Sequence, residues 1–569
     1  MDPGVDRSDA QVTLSSNANS RRKIPGLLLW LVPLLFLTLF FFTPLVRIIT
    51  VMISREGLVS NTILLRTFSF TIWQAALSTL LTFVIGLPLS YLFSHFKFTG
   101  KRLFRLMVIL PFILPTVVVA AGFNSLLGPQ GWVNLWLMDL FKLSSPPVSI
   151  LNTLGIILLA HVFYNTSIFI RIVGNAWGSL DTSIGDAAKA LGSPPGSIFR
   201  LVTLPLLKPS LLAAGLLVFL FDFTSFGVIL LLGGPGFSTL ETEIYTQTLS
   251  MLNLRMAGIL SIIQLACTLA VTLVYGRINS RRRSVLNPGR GIEPKNPTRL
   301  SQRIFVMASV LVIVLLFCLP MLSLAVRSFL SYIPGLGTLT FTTDNYSGLF
   351  INRRQTYFYV PPVKAALNSF LFAAVATAIS LVLGLCAAYA RIRNSQLQKW
   401  IDGLVMLPQG TSAVTLGLGF LITFNKPPLD IVSFRLLIPI AHSLIAFPFV
   451  LRAVSPALAS IPEDLKNAAA VLGASPWKTW WNVELPIIGR AALVGGTYAF
   501  AISLGEFGAT SFLARPDLPT LPVAIYRFLS LPGDQNYGQA LAMAVLLLLL
   551  CLICLSIIDR IPVPGKQEF

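Results

Sequence analysis

Gly185-Asp-Ala-Ala-Lys-Ala-Leu-Gly192, continuing to Val202-Thr-Leu-Pro205, returns 281 residues later as Lys466-Asn-Ala-Ala-Ala-Val-Leu-Gly473, continuing to Val483-Glu-Leu-Pro486. The offset persists outside the two loops. Ala160-His161 matches Ala441-His442, Phe226-Gly227 matches Phe507-Gly508, and Ile244-Tyr245 matches Ile525-Tyr526. Further upstream the register slips, so that Leu110-Pro111 pairs with Leu407-Pro408 at an offset of 297. One register held across loops and apolar runs marks a duplication of a whole structural unit. Within each loop the small residues Ala187-Ala188 and Ala468-Ala469 describe a short helix that another surface can approach closely. Gly192 and Gly473 suit the end of such a helix, and Pro205 and Pro486 suit the first turn of the next one. A single loop of this kind could merely cap a bundle. Two copies in register favour docking to a two-fold partner.

The composition places these loops in a membrane protein. Of 569 residues 55% are hydrophobic and only 11% are charged, against about 25% charged in soluble domains. Disorder is excluded by the same numbers, since it needs low hydrophobicity. The net charge of +20 would suggest nucleic acid in a soluble chain. Here the basic residues lie between apolar runs, as expected of loops on the anionic cytoplasmic face of a bilayer. Nucleic acid is therefore not expected as a partner; the lipid bilayer is. Apolar runs of about 20 residues each fall near 24–46, 67–94, 106–127, 148–170, 209–232 and 256–276, then near 304–326, 365–390, 403–424, 436–454, 489–512 and 537–558. The first is too long for a signal peptide and lacks a clear cleavage site. With the N-terminus inside, most Lys and Arg residues fall in inner segments, although Arg353-Arg354 falls outside. The reading is thus a cytoplasmic tail (1–23), a six-helix half (24–276), a basic cytoplasmic linker (277–303), a second half (304–558) and a cytoplasmic tail (559–569). The linker carries Arg277, Arg281-Arg282-Arg283, Arg290, Lys295, Arg299 and Arg303. The fold expected is all-α, with about twelve transmembrane helices in two parallel six-helix repeats.

At the two loops the chain resembles a known family. Glu-Ala-Ala followed by a spaced Gly and Leu-Pro is the signature of permease subunits of binding-protein-dependent ABC importers, and this sequence looks like it at 186–205 and at 467–486. Both halves in one polypeptide resemble the thiamine and ferric-iron branch. Leu158-Leu-Ala-His-Val-Phe-Tyr-Asn165, Gly128-Pro-Gln-Gly-Trp132 and Ser503-Leu-Gly-Glu-Phe-Gly508 look most like thiamine permeases, whereas Glu506-Phe-Gly-Ala509 is also similar to iron permeases. The resemblance implies the type I importer architecture in a bacterial plasma (inner) membrane, with both termini cytoplasmic. It implies two copies of a cytoplasmic ABC ATPase seated on the two loops and one extracytoplasmic substrate-binding protein. ATP and Mg would then sit on the ATPase subunits, with no cofactor on this chain and no enzymatic activity of its own. The coupling residues implied are Asp186, Ala187, Ala188, Gly192 and Pro205, with Asn467, Ala468, Ala469, Gly473 and Pro486. The leading Glu of the motif is Asp186 in one loop and Asn467 in the other, so the two dockings are expected to differ. The sequence agrees in lacking a Gly-x-x-x-x-Gly-Lys-Ser/Thr phosphate loop.

Asp222 and Glu506 are the acids inside the apolar runs. A charge there costs at least about 2.5–3.5 kcal/mol, so it faces a cavity or a partner. By the 281 offset Asp222 aligns with Ser503, and Glu506 with Ser225. Two readings stand for the acids: a path for a cationic or aromatic substrate beside Phe226 and Phe507, or structural hydrogen bonds. For His161 and His442, interhelical hydrogen bonding is the favoured reading over a place in the path, and Pro448 is a candidate kink. Cys551-Leu-Ile-Cys554 lies in a lipid-embedded run, where core packing is expected rather than redox chemistry; no metal site is expected. A secondary transporter driven by an ion gradient is the alternative function, since it too can show duplicated halves. It gives no reason for two docking loops.

Overall fold

The computed structural model describes residues 23–54, 57–285, 291–333, 338–351, 360–390, 396–425, 430 and 434–561. Most of the N-terminal tail, Arg290, Arg353-Arg354 and the C-terminal tail from 562 lie outside the described residues.

Among the described residues ten helices are long and apolar enough to cross a membrane, and two further candidates are bent helix pairs. Five helices and one pair belong to each half. The pairs are Lys101–Phe112 with Thr116–Phe141, bent by 115°, and Gly403–Gly410 with Ala413–Thr423, bent by 98°. The runs 106–127 and 403–424, read from sequence as plain spans, are therefore broken. In the first, Pro115 bars Leu114 from helical geometry and stands extended before the next helix. In the second, the Ser412 hydroxyl accepts the N–H groups of Val414 and Thr415, which caps a new helix start. The runs 209–232 and 489–512 also need correction, because their helices stop early, at Phe223 and Gly505. Each half then continues into a short helix, Leu240–Leu249 or Leu521–Leu529.

Proline shapes the continuous spans. Four of the six π-helical turns among the described residues, Thr38–Phe42, Phe199–Thr203, Val314–Cys318 and Trp480–Glu484, are each followed inside a helix two residues on by Pro44, Pro205, Pro320 or Pro486. A proline has no N–H to donate and its ring crowds the preceding turn. Widening that turn by one residue accommodates the ring without breaking the helix. Pro448 and Pro456, in contrast, are carried inside the unbroken span Leu437–Ala459.

The two halves exchange their first spans. Gly122 of the first half lies against Pro320 and Met321 of the second, where an added Cβ would stand 3.2 Å from the Pro320 carbonyl oxygen. Gly419, its counterpart, lies against Pro44 of the first half, with 2.9 Å between an added Cβ and the Pro44 Cβ. Each first span thus packs on the bent pair of the other half, and only glycine allows the approach. At one end of the bundle three segments meet. Ile292 donates its N–H to Gly178 O, Lys295 donates to His95 O, and Lys97 donates to Lys295 O. The linker therefore lies beside the loop holding Thr182–Ala190. At the other end sit a hairpin, Leu330–Ile333 with Thr338–Phe341, and the loops joined by Asn253 donating to Leu58 O. The cysteines are all free thiols.

Candidate substrate cavity and coupling loops

The helix breaks place backbone and polar side chains at the centre of the bundle, where they wall a cavity of about 380 Å³ between the halves. The first half contributes the bend at Phe112 and Thr116 and the segment from Leu220 to Val228; the second contributes Gln409–Ala413 and Gly505–Gly508. Three buried carboxylates line it: Asp222, Glu241 and Glu506. Among the described residues no Lys or Arg does.

Each half organises its acid around its histidine. His161 Nδ1 lies 2.9 Å from Ser78 Oγ and 3.4 Å from Asp222 Oδ1, and its Nε2 lies 2.8 Å from Ser225 Oγ. Asn165 donates to Asp222 Oδ1 at 2.6 Å, and Gln74 donates to the Asp222 carbonyl. In the second half His442 Nδ1 lies 2.7 Å from Ser503 Oγ, and Nε2 lies 3.1 Å from Glu506 Oε2. The acid and the serine have therefore swapped positions around equivalent imidazoles. Glu506 also accepts the N–H groups of Ala509 and Thr510 at 2.7 and 2.9 Å and the Thr510 hydroxyl. Its carboxylate closes the chain where the span ends.

Glu241 escapes the sequence reading because it lies between apolar runs, in the first turn of Leu240–Leu249. It accepts from Gln264 Nε2 and from the Ser412 hydroxyl of the other half. The signal available was an acid beside Thr239-Leu240, a pair repeated in the second half.

Phe226 and Phe507, equivalent by the 281 offset, stack on each other across the pseudo-two-fold axis at 5.5 Å between centroids. Tyr245 extends the stack behind Phe226, and Tyr526 does so behind Phe507, at 5.4 and 5.5 Å. Phe226 and Phe507 line the cavity, and the two tyrosines stand behind them.

The loops lie apart from the cavity, at the linker end. Thr182–Ala190 starts at Asp181, whose carboxylate accepts the Ser183 N–H at 2.9 Å, a bond that holds the acid below its usual range. Glu463–Val471 is the second copy. Both end alike: Gly192 donates to Lys189 O and Ser193 to Ala188 O, as Gly473 does to Ala470 O and Ala474 to Ala469 O. Gly192 has φ of 80° and Gly473 of 79°. An added Cβ meets nothing within 4 Å at either. The constraint at both positions is therefore the left-handed backbone and not the space around a side chain. Asn, which tolerates that conformation, is expected to support loop function at both positions. Gly192→Val should cost about 1–2 kcal/mol of local order and lower transport-coupled ATP hydrolysis, read in proteoliposomes. Equal activity of the Val and Asn variants would refute this.

Asp186 and Asn467 are exposed, Asp186 in an ion pair with Lys189 at 2.9 Å. Ala187 and Ala468 are exposed, and Ala188 and Ala469 are half-buried. Leu191 and Leu472 are each 87% exposed at the helix ends. Pro205 and Pro486, expected in the first turn of the next helix, lie instead inside the continuous spans Pro195–Phe223 and Pro476–Gly505, just after a π-helical turn that accommodates each ring.

A duplicated helical bundle whose halves share a central polar cavity and present matched loops at one end is the membrane-embedded subunit of a transporter. The chain belongs to the family described as binding-protein-dependent transport system inner membrane component, whose model matches it twice, at residues 83–284 and 380–565. It is accordingly an ABC importer permease with both halves in one chain, in a multi-pass inner-membrane arrangement. The chain is 28% identical over 516 residues to the thiamine transport system permease protein ThiP of Brucella abortus, covering 90% of each chain. It is 25% identical to that of Escherichia coli, over 87% of this chain and 88% of the relative. A crystal structure of a bacterial ABC transporter for the import of the acidic polysaccharide alginate aligns with 45% of this chain and 93% of its own, at 18% identity and a TM-score of 0.37.

Proposed function

We propose that this chain passes thiamine from an extracytoplasmic binding protein into the cytoplasm, driven by two separate ATPase subunits. The observation that carries the substrate is the cavity: three buried carboxylates, no lining Lys or Arg, and the stacked Phe226 and Phe507 in its lining. Carboxylates in a low-dielectric space favour a cation, and aromatic faces add about 0.5–2 kcal/mol for a cationic ring. Ferric iron, the other substrate of this branch considered from sequence, wants converging oxygen ligands. Among the described residues no three His, Cys, Asp or Glu groups converge for a metal. The relatives named for thiamine agree with this choice.

The loops are the coupling elements in this proposal. Leu191 and Leu472, exposed at equivalent helix ends beside Asp186 and Asn467, offer a small apolar knob to each ATPase. Both loops and both termini then face the cytoplasm, together with the basic linker. ATP and Mg stay on the ATPase subunits. Reconstitution with the ATPase and binding protein tests the substrate by ATP-dependent uptake of labelled thiamine against ferric iron; iron uptake without thiamine uptake would reject it. Native mass measurement is expected to give one chain with two ATPases, and a stable 1:1 or 2:2 complex would reject the coupling assignment.

A further inference from the structure

The three cavity acids do not have the same work to do. Glu506 spends both oxygens on Ala509, Thr510 and His442. Glu241 is held by Gln264 and Ser412. Asp222 differs: Asn165 occupies Oδ1, while Oδ2 finds no hydrogen-bond partner among the described residues although the side chain is only 1% exposed. A buried carboxylate oxygen left open is costly unless a positive or donor group meets it. Across the cavity, on the bend of the second half, Gln409 Oε1 is likewise buried and without a partner. Both residues line the same space.

We infer that Asp222 is the residue that selects a cationic ring and Gln409 the residue that accepts a hydrogen bond from a donor group on the same substrate. The inference rests on the proposed transport of thiamine and refines it: the thiazolium belongs beside Asp222 and the exocyclic amine beside Gln409. Glu241 and Glu506 act as positioning residues. Glu506 fixes the turn before Phe507, and Glu241 ties Leu240–Leu249 to the bend at Ser412. A substrate held in this way touches both halves, so it is released when the halves part.

The geometry accounts for the selectivity. Asn165 and His161, supported by Ser78 and Ser225, hold the Asp222 carboxylate in one orientation before any ligand arrives. A carboxylate fixed in advance loses little freedom on binding, and a neutral ring of equal shape leaves its oxygen unpaired. Discrimination of this kind by buried polar groups is far steeper than discrimination by shape alone.

The test uses the purified full chain in nanodiscs. Probes are labelled thiamine, its neutral analogue with thiophene in place of thiazolium, its analogue lacking the exocyclic amine, and N-methylpyridinium. The native chain should prefer thiamine over the thiophene analogue by at least about 30-fold, the loss expected on leaving a buried charge unpaired. Asp222→Asn should erase that preference while Asp139→Asn, at an exposed acid outside the cavity, keeps it. Gln409→Leu should weaken thiamine but leave the amine-free analogue unchanged. Retained preference in Asp222→Asn overturns the inference, as does equal loss in Asp139→Asn. Binding of N-methylpyridinium but not thiamine, lost in Asp222→Asn, would reject thiamine as substrate and support Asp222 as the cation selector. Binding of neither cation overturns it.

Discussion

Glu506→Gln is expected to destabilise the folded chain by about 3–5 kcal/mol, the cost of breaking a buried, multiply bonded charged group. That is a large part of the roughly 5–15 kcal/mol that holds a protein folded. The carboxylate receives two backbone N–H groups, a hydroxyl and an imidazole. A glutamine offers one acceptor oxygen and turns an NH₂ group towards donors that need an acceptor. Thermal unfolding in detergent should show a marked fall in midpoint, with reduced levels in the membrane. Asp222→Asn is the matched control, because among the described residues its one short hydrogen bond comes from Asn165, which an asparagine oxygen can still accept, and His161 stands further off at 3.4 Å; its midpoint should stay close to that of the native chain. An unchanged midpoint in Glu506→Gln would mean that the turn is held by packing alone.

Gly227→Ala is expected to cut transport sharply while leaving a folded chain. An added Cβ would overlap Thr116 Oγ1, lie 2.8 Å from Thr116 Cβ and stand 3.3 Å from a ring carbon of Phe507. Thr116 opens the helix after the first bend and cannot retreat without moving it. Overpacking of this kind costs about 1–3 kcal/mol, and the displaced segment includes Phe226. The stack with Phe507 should open, so uptake should fall by at least about tenfold with ATP hydrolysis retained. Gly508→Ala, its counterpart, meets Ala413 Cβ at 2.9 Å and Glu506 Oε1 at 3.4 Å and should be milder. Uptake within about twofold of the native chain in Gly227→Ala would show that this segment yields readily.

Hydropathy made the membrane spans legible, because a helix in lipid must be apolar along its length. The duplication made the symmetry legible, down to His161 with His442 and Phe226 with Phe507. The bends were not, although Pro111, Pro115 and Pro408 stand at them: a proline in a membrane run can widen a turn, as Pro44 does, or end a helix, as Pro115 does, and neighbouring helices decide which. The pairing of each histidine with an acid was half visible. Asp222 aligns with Ser503 and Ser225 with Glu506, so both halves place one acid and one serine within reach of an equivalent imidazole. Glu241 was hidden because a hydropathy window sees a polar residue between spans as solvated, whereas the fold returns that segment to the interior.

The exchanged first spans fix an order of events during synthesis. Pro44 enters the membrane 375 residues before Gly419 (419 − 44), the residue it packs against. At about 5–20 residues per second the ribosome needs roughly 20–75 s to deliver that partner. Until then the first span has only lipid on that face, which its apolar surface tolerates, and the niche at Gly122 stands open until Pro320 arrives. A nascent chain cut short at the linker therefore has a complete set of first-half spans and an incomplete surface on two of them. Such a fragment is expected to be completed by a separately made second half, which co-purification of the two halves expressed as separate chains would check.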